Sequence, residues 1–265
     1  MLGDLLGRSG RDAAIKALPE LRKTLQLDFV CVNAENASHG FGLAPDMAAA
    51  LFAAGADVLT LGNHAWDRRE IIPYIAQEKR LLRPLNFPPG TPGAGSAVFT
   101  LPDGRKILVA QAMGRLFMEP LDCPFQAVEA LLTRHRLGNN LHAAIIDFHA
   151  EASSEKMAFG HAFDGRVSAI TGTHTHIPTA DHQILPHGTA YATDLGMCGD
   201  YDSVIGMAKA PAMARFIRKM PTDRLAPADG PATLCGALIE TAESGLALRI
   251  APLRLGGRLS PVIPK

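Results

Sequence analysis

The spacing of apolar and polar positions divides the chain into alternating helical and strand-like stretches. From Arg8 to Leu25, apolar residues recur at helical spacing (Ala14, Ile15, Leu18, Leu21, Leu25), which predicts a helix that runs through Pro19. Phe29-Val30-Cys31-Val32 is a short apolar run that stops at Asn33-Ala34-Glu35-Asn36. Pro45 to Ala54 is alanine-rich and helical, with Pro45 suited to a first turn. Val58-Leu59-Thr60-Leu61 then runs into Gly62-Asn63-His64. The pattern returns later: Leu141 to Phe148 ends at His149, and Val167 to Gly172 ends at Thr173-His174.

Apolar strands alternating with helices predict an α/β fold, with a parallel or mixed sheet covered on both faces. A hairpin is expected around Pro102-Asp103-Gly104-Arg105. Two antiparallel strands are expected from Thr233 to Leu255, joined near Glu243-Ser244-Gly245. The Pro/Gly stretch from Pro88 to Gly93 is a loop and not a linker, since strand-like sequence follows at once. One domain is expected over residues 1–265, a length that can bury one sizeable core.

Composition narrows the function. Lys plus Arg equals Asp plus Glu, 26 each, so no general field draws the chain to long nucleic acid or to a membrane surface. The apolar runs are too short or interrupted to span a bilayer. An acidic residue follows directly on Met1-Leu2-Gly3, unlike a signal peptide. These features lead us to expect a soluble, cytoplasmic protein. Cys31, Cys123, Cys198 and Cys235 form no C-x-x-C pair, and buried free thiols are the ordinary reading.

The polar residues that close the apolar runs carry the chemistry. In open α/β sheets, ligands bind beyond the carboxyl ends of the strands. Asp4, Glu35, Asn36, Asn63, His64, His149, His174 and His176 all lie at such ends. Carboxylates, carboxamides and imidazoles together suit first-row divalent metals, where an all-oxygen set would suit Mg or Ca. Two such ions, held about 3.5–4 Å apart, activate a water and neutralise an in-line phosphoryl displacement. On an extended segment, His174 and His176 would face one way.

Gly3-Asp4, Gly62-Asn63-His64 and Gly172-Thr173-His174-Thr175-His176 resemble the GD…GNH…GHxH signature of calcineurin-like metallophosphoesterases. Val32 to Gly40, Leu61 to Asp67, Arg83 to Pro88 and Asp147 to Lys156 bring the chain closer to the YmdB-type bacterial phosphodiesterases, over nearly its whole length. The resemblance implies a metallophosphoesterase α/β sandwich acting on cyclic nucleotides, 2′,3′-cyclic first and 3′,5′-cyclic second. It implies that Asp4, Asn36 and His176 hold one metal and Asn63, His149 and His174 the other, with Glu35 bridging. It makes a hydroxide between the two ions the nucleophile and His64 the general acid, with iron as the metal and manganese as a substitute. An imidazole suits that proton transfer near neutrality. A phosphomonoesterase or protein phosphatase with the same metal core, and a regulatory nucleotide-binding module, are the alternatives.

Several neighbours have two readings. Asp67 is either a helix cap or the acceptor that orients His64. Glu151 and Glu155 either orient a ligand imidazole or open a helix. His39 is a pocket or loop histidine, Arg115 a candidate phosphate contact, and His161, His182 and His187 structural or solvent-facing. Phe41, Phe117 and Met118 suit either a pocket rim or an interface between copies of the chain. With only three residues before Asp4, the first strand is short, and a loose Asp4 with a weaker first metal site is expected.

Overall fold

The computed structural model describes residues 1–264; Lys265, the last residue of the expected domain, lies outside them. In chain order the elements are α1 (Gly7–Thr24), β1 (Cys31–Asn33), α2 (Pro45–Ala53), β2 (Val58–Thr60), α3 (Ile71–Ile75), β3 (Leu81–Leu82), β4 (Ser96–Thr100) and β5 (Lys106–Met113). There follow α4 (Pro124–Leu132), β6 (Ala143–His149), α5 (Ser153–Ala162), β7 (Ala169–Thr173), β8 (Gln183–Ile184), β9 (Ala190–Ala192), β10 (Gly199–Asp200), α6 (Lys209–Arg218), β11 (Ala232–Thr241) and β12 (Ala247–Leu255).

The strands make two layers. In one, β1, β2 and β3 run parallel, and Leu2 bridges Val32 on one side and Gly236 on the other, which joins them to the antiparallel β10-β11-β12 group. The other is a six-stranded sheet in the order β4-β5-β6-β7-β9-β8, parallel at its centre with antiparallel edges. Period-two alternation assigns the faces. Leu108 and Ala110 pack under α4 and α5, while Ile107 and Val109 meet Cys31, Val58 and Leu82 of the opposite layer. Val32 and Leu59 turn the other way, under α1 and α2. The result is the expected α/β sandwich, with helices outside and two sheets face to face.

Both expected hairpins form, β4 with β5 and β11 with β12. The four cysteines are all free. Among the described residues, no helix is long and apolar enough to cross a membrane.

The expectation of a loose Asp4 is corrected. Before α1 the chain makes only isolated bridges, at Leu2, Leu5 and Leu6, yet Leu5 N–H donates to the Asn33 carbonyl at 2.9 Å and Cys198 N–H to that of Asp4 at 2.7 Å. The Met1 amine donates to the Ala237 carbonyl, and Asp4 is 0% exposed. Neighbouring strands on both sides fix what the short segment could not fix alone.

Under α5, Phe159 stacks on Phe148 with centroids 3.9 Å apart and meets Phe125 and Phe163 edge-on. Phe159→Ala is expected to destabilise the fold by about 3–5 kcal/mol through the cavity it leaves. Urea denaturation measures this, and a loss under about 1 kcal/mol would show that the layer closes up around the gap.

Candidate metal centre

The polar residues converge because two parallel strand pairs, β1 with β2 and β6 with β7, end at the same edge of the two facing sheets. β1 ends just before Glu35 and Asn36, β2 just before Asn63 and His64, β6 on His149, and β7 just before His174. Two groups of potential ligand atoms result, Glu35-His149-His174 and Asp4-Glu35-His176, each with its atoms within 4.8 Å of one another. Glu35 belongs to both. Asn63 joins the first group through Oδ1, 2.8 Å from His149 Nε2. Asn36 joins the second, with Nδ2 3.0 Å from Glu35 Oε1 and 3.2 Å from His176 Nε2.

Each of the three imidazoles has its outward nitrogen tied down. His149 Nδ1 lies 2.9 Å from Thr173 Oγ1, whose hydroxyl donates at 2.7 Å to Asp147 Oδ1. His174 Nε2 lies 3.1 Å from Glu151 Oε2. His176 Nδ1 donates to the Ile205 carbonyl at 2.8 Å. These contacts orient the opposite nitrogens inward, the arrangement that acceptors behind metal-bound histidines enforce.

The inward atoms fit a cation better than a proton. Asn63 Oδ1, Glu35 Oε1 (3.2 Å) and His174 Nδ1 (3.1 Å) all converge on His149 Nε2. One N–H cannot serve three acceptors. In the other group, Asp4 Oδ1 and Asn36 Oδ1 are buried with no hydrogen-bond partner among the described residues. Buried polar atoms are rarely left so, and a ligand ion is a standard reason when they are. With nitrogen and oxygen donors mixed, a first-row divalent ion fits best.

The electrostatics point the same way. Burial pushes the Asp4 carboxyl up, against the pull of His176 and His149. Burial would do the same to Glu35, but the charge of His149 and the hydrogen bond from its ring hold Glu35 well below the usual carboxylate range. Burial opposes a charge on His149 too, yet Glu35 raises it to about 9. Burial, with the charge of His149 beside it, depresses His174 to about 3, so that ring is a neutral donor. The protein alone gathers carboxylates that one imidazolium only partly neutralises, and added positive charge relieves them.

His64 sits apart from both groups at the edge, its side chain 27% exposed. Its backbone N–H donates to Glu35 Oε2 at 3.2 Å, and its ring lies edge-on to Phe41. Nδ1 lies 2.9 Å from Asp67 Oδ2, so Asp67 is the orienting acceptor; α3 carries no side-chain cap. Glu151 backs His174, whereas Glu155 accepts from Arg115 and Leu116 N–H and secures their loop.

Other candidates have contacts of their own. The Arg115 guanidinium lies 3.5 Å from Cys123 Sγ. His39 contacts Ser38 and Arg68, and His187 pairs with Asp164. His174 and His176 are not on an extended segment. Both have left-handed backbones, φ +98° and +67°, and they serve different groups.

Sequence reasoning missed a supporting layer. Asp147 is 0% exposed and accepts from Thr60, Asn33 and Thr173; Lys156 and Asp194 form a buried pair beside Thr173 and Thr175. A charged residue inside the run Ile145-Ile146-Asp147-Phe148 was the available signal.

Comparisons with known proteins agree with one another. The family model described as YmdB-like protein matches residues 1–253. The chain is 43% identical over 239 residues to the 2′,3′-cyclic-nucleotide 2′-phosphodiesterase of Bacillus subtilis (strain 168), covering 90% of this chain and 89% of that protein. A crystal structure of a hypothetical protein from Thermus thermophilus superposes with a TM-score of 0.88 at 40% identity, over 97% of this chain and 98% of the other. A crystal structure described as a novel phosphatase from Mycoplasma pneumoniae superposes with a TM-score of 0.89 at 35% identity, over 96% and 92%.

Proposed function

The chain belongs to the YmdB-like protein family, and from that premise we propose that it hydrolyses 2′,3′-cyclic nucleotides at a centre of two divalent cations. The observation that carries this reading is the shared carboxylate: Glu35 stands between two ligand groups whose histidines are all turned inward by acceptors behind them. Asp4, Asn36 and His176 would hold one cation, Asn63, His149 and His174 the other, and Glu35 both. Iron fits this donor set, and manganese is its substitute. When bound, the pair supplies an activated water and positive charge for the phosphoryl oxygens.

The remaining work falls to the chain itself. Opening a 2′,3′-cyclic diester breaks a P–O bond and releases a ribose alkoxide, which needs a proton. His64 supplies it. Asp67 occupies Nδ1, so Nε2 is the nitrogen that gives its proton to the departing oxygen. The Glu35 contact to the His64 backbone ties that acid to the cation site itself. A 3′,5′-cyclic diester presents the same bond and is the second substrate class.

The test pairs elemental analysis with hydrolysis of 2′,3′-cyclic AMP by the protein supplied with iron or manganese. Near two transition-metal ions per chain is expected, with turnover on the cyclic diester and faster cleavage of bis-4-nitrophenyl phosphate than of 4-nitrophenyl phosphate. Preference for the monoester would move the reading to a phosphomonoesterase. No bound metal and no turnover would overturn the enzyme reading.

A further inference from the structure

His174 and His176 hold left-handed backbones on either side of Thr175. Residues other than glycine persist there only when surrounding structure over-determines them. The two histidines do not hold themselves. His174 N–H donates to Asp4 Oδ2 at 3.1 Å, and the His176 carbonyl accepts from Met197 N–H and the Tyr201 hydroxyl, both at 3.0 Å. The middle of the turn is held by Asp194, which is 0% exposed and follows β9.

Asp194 Oδ2 accepts from Thr175 N–H at 3.0 Å, Thr175 Oγ1 at 2.7 Å and Lys156 Nζ at 2.7 Å; Oδ1 accepts from Gly196 N–H at 2.8 Å. Lys156, on α5 and 1% exposed, also donates to the Thr173 carbonyl at 2.7 Å. The ammonium grips the residue before His174, and the carboxylate grips the residue between the two histidines. A buried ion pair adds little net stability, because desolvation offsets its Coulomb attraction. Its charge-assisted bonds do fix geometry.

We propose that Lys156 and Asp194 are positioning residues of the metal centre, setting one histidine of each ligand group through a single buried pair. The inference rests on the two-cation reading above. Neither side chain is among the inward ligands, so the pair acts through the backbone shape of Thr173 to His176. Because one device serves both groups, loosening it weakens both cations together.

The experiment compares the Lys156→Met/Asp194→Asn double variant and Thr175→Val with wild type. The double variant removes both charges, so none is left buried alone. Thr175→Val deletes one bond to Asp194 and keeps the pair. Melting temperature, metal stoichiometry, chelator competition for manganese, and kcat and KM on bis-4-nitrophenyl phosphate are measured. We expect folded proteins whose affinity for both cations falls about 10–100-fold in the double variant and less in Thr175→Val, as for other residues that support ligands. Excess manganese should restore kcat with KM little changed. Wild-type affinity in the folded variants, or loss of one cation with the other untouched, overturns the inference. If the double variant does not fold, Thr175→Val decides: unchanged manganese affinity overturns the proposal, and a joint fall at both sites supports it. A wild-type protein that binds no metal would instead fail the reading on which the inference rests.

Discussion

Gly62→Ala is expected to strip the protein of its metal and its turnover while leaving it folded. A Cβ at Gly62 would land against Glu35 Oε2 and lie 2.5 Å from His149 Nε2, among the donors that face each other across the centre. Backbone on the short β2-to-Asn63 connection cannot retreat, because Leu61 N–H is bound to the Leu82 carbonyl and Ala65 N–H to that of Gly62. The methyl therefore displaces the bridging carboxylate, the imidazole or both. Overpacking of this kind costs about 1–3 kcal/mol, within the stability of an ordinary domain. Function has no such margin, since one methyl disturbs the carboxylate common to the two groups. Metal content below one ion per chain and a fall in kcat of at least about 100-fold are expected, the order seen when a ligand's support is lost and compounded by loss of the ligand itself. Two ions per chain and wild-type turnover in Gly62→Ala would show that Glu35 and His149 do not hold the cations.

His64→Ala should do the reverse, keeping the metal and losing the chemistry. The ring is not in either ligand group, and its link to the centre is its backbone N–H, which alanine retains. Loss of a general acid costs about 10²- to 10⁴-fold, or about 3–5 kcal/mol in the barrier. The size of the loss should track the leaving group. A ribose alkoxide is a poor leaving group and needs the proton, whereas nitrophenolate leaves readily without one. Turnover of 2′,3′-cyclic AMP should therefore collapse while bis-4-nitrophenyl phosphate is cleaved with a much smaller deficit. Asp67→Asn, which keeps the ring and weakens its orientation, should fall between wild type and His64→Ala on the cyclic nucleotide. Equal losses on both substrates, or loss of metal along with activity, would exclude His64 as the acid.

The candidate site was legible in the chain to an unusual depth, because its residues are local features. Each follows an apolar run, and a run of that kind in a parallel sheet has one end where ligands collect. Helical spacing from Arg8 to Leu25, the hairpin at Asp103-Gly104 and the strand ends at Asn33, Thr60, His149 and Thr173 needed only nearby residues to read. Asp4, Glu35, Asn36, Asn63, His64, His149, His174 and His176 could be gathered on that basis, and the resemblance to the metallophosphoesterases set His64 apart from the ligands.

What holds them in place was decided by the tertiary structure. Asn33 reaches Asp147 across 114 positions, and Lys156 reaches Asp194 across 38. Contacts of that range leave no period in the sequence. Asp67 had two readings, a helix cap or an acceptor for His64, and packing chose the second. Asp4 looked weakly held because a strand's own length was the only measure available, whereas its neighbours on both sides lock it. Alternation on an extended chain would have put His174 and His176 on one face; two left-handed residues, stabilised by a carboxylate from a distant segment, send them to separate groups. The sequence by itself determined which side chains stand at the strand ends, since that follows from local spacing. Their directions depend on burial and hydrogen bonds between segments that meet only after folding, and these the tertiary structure alone decided.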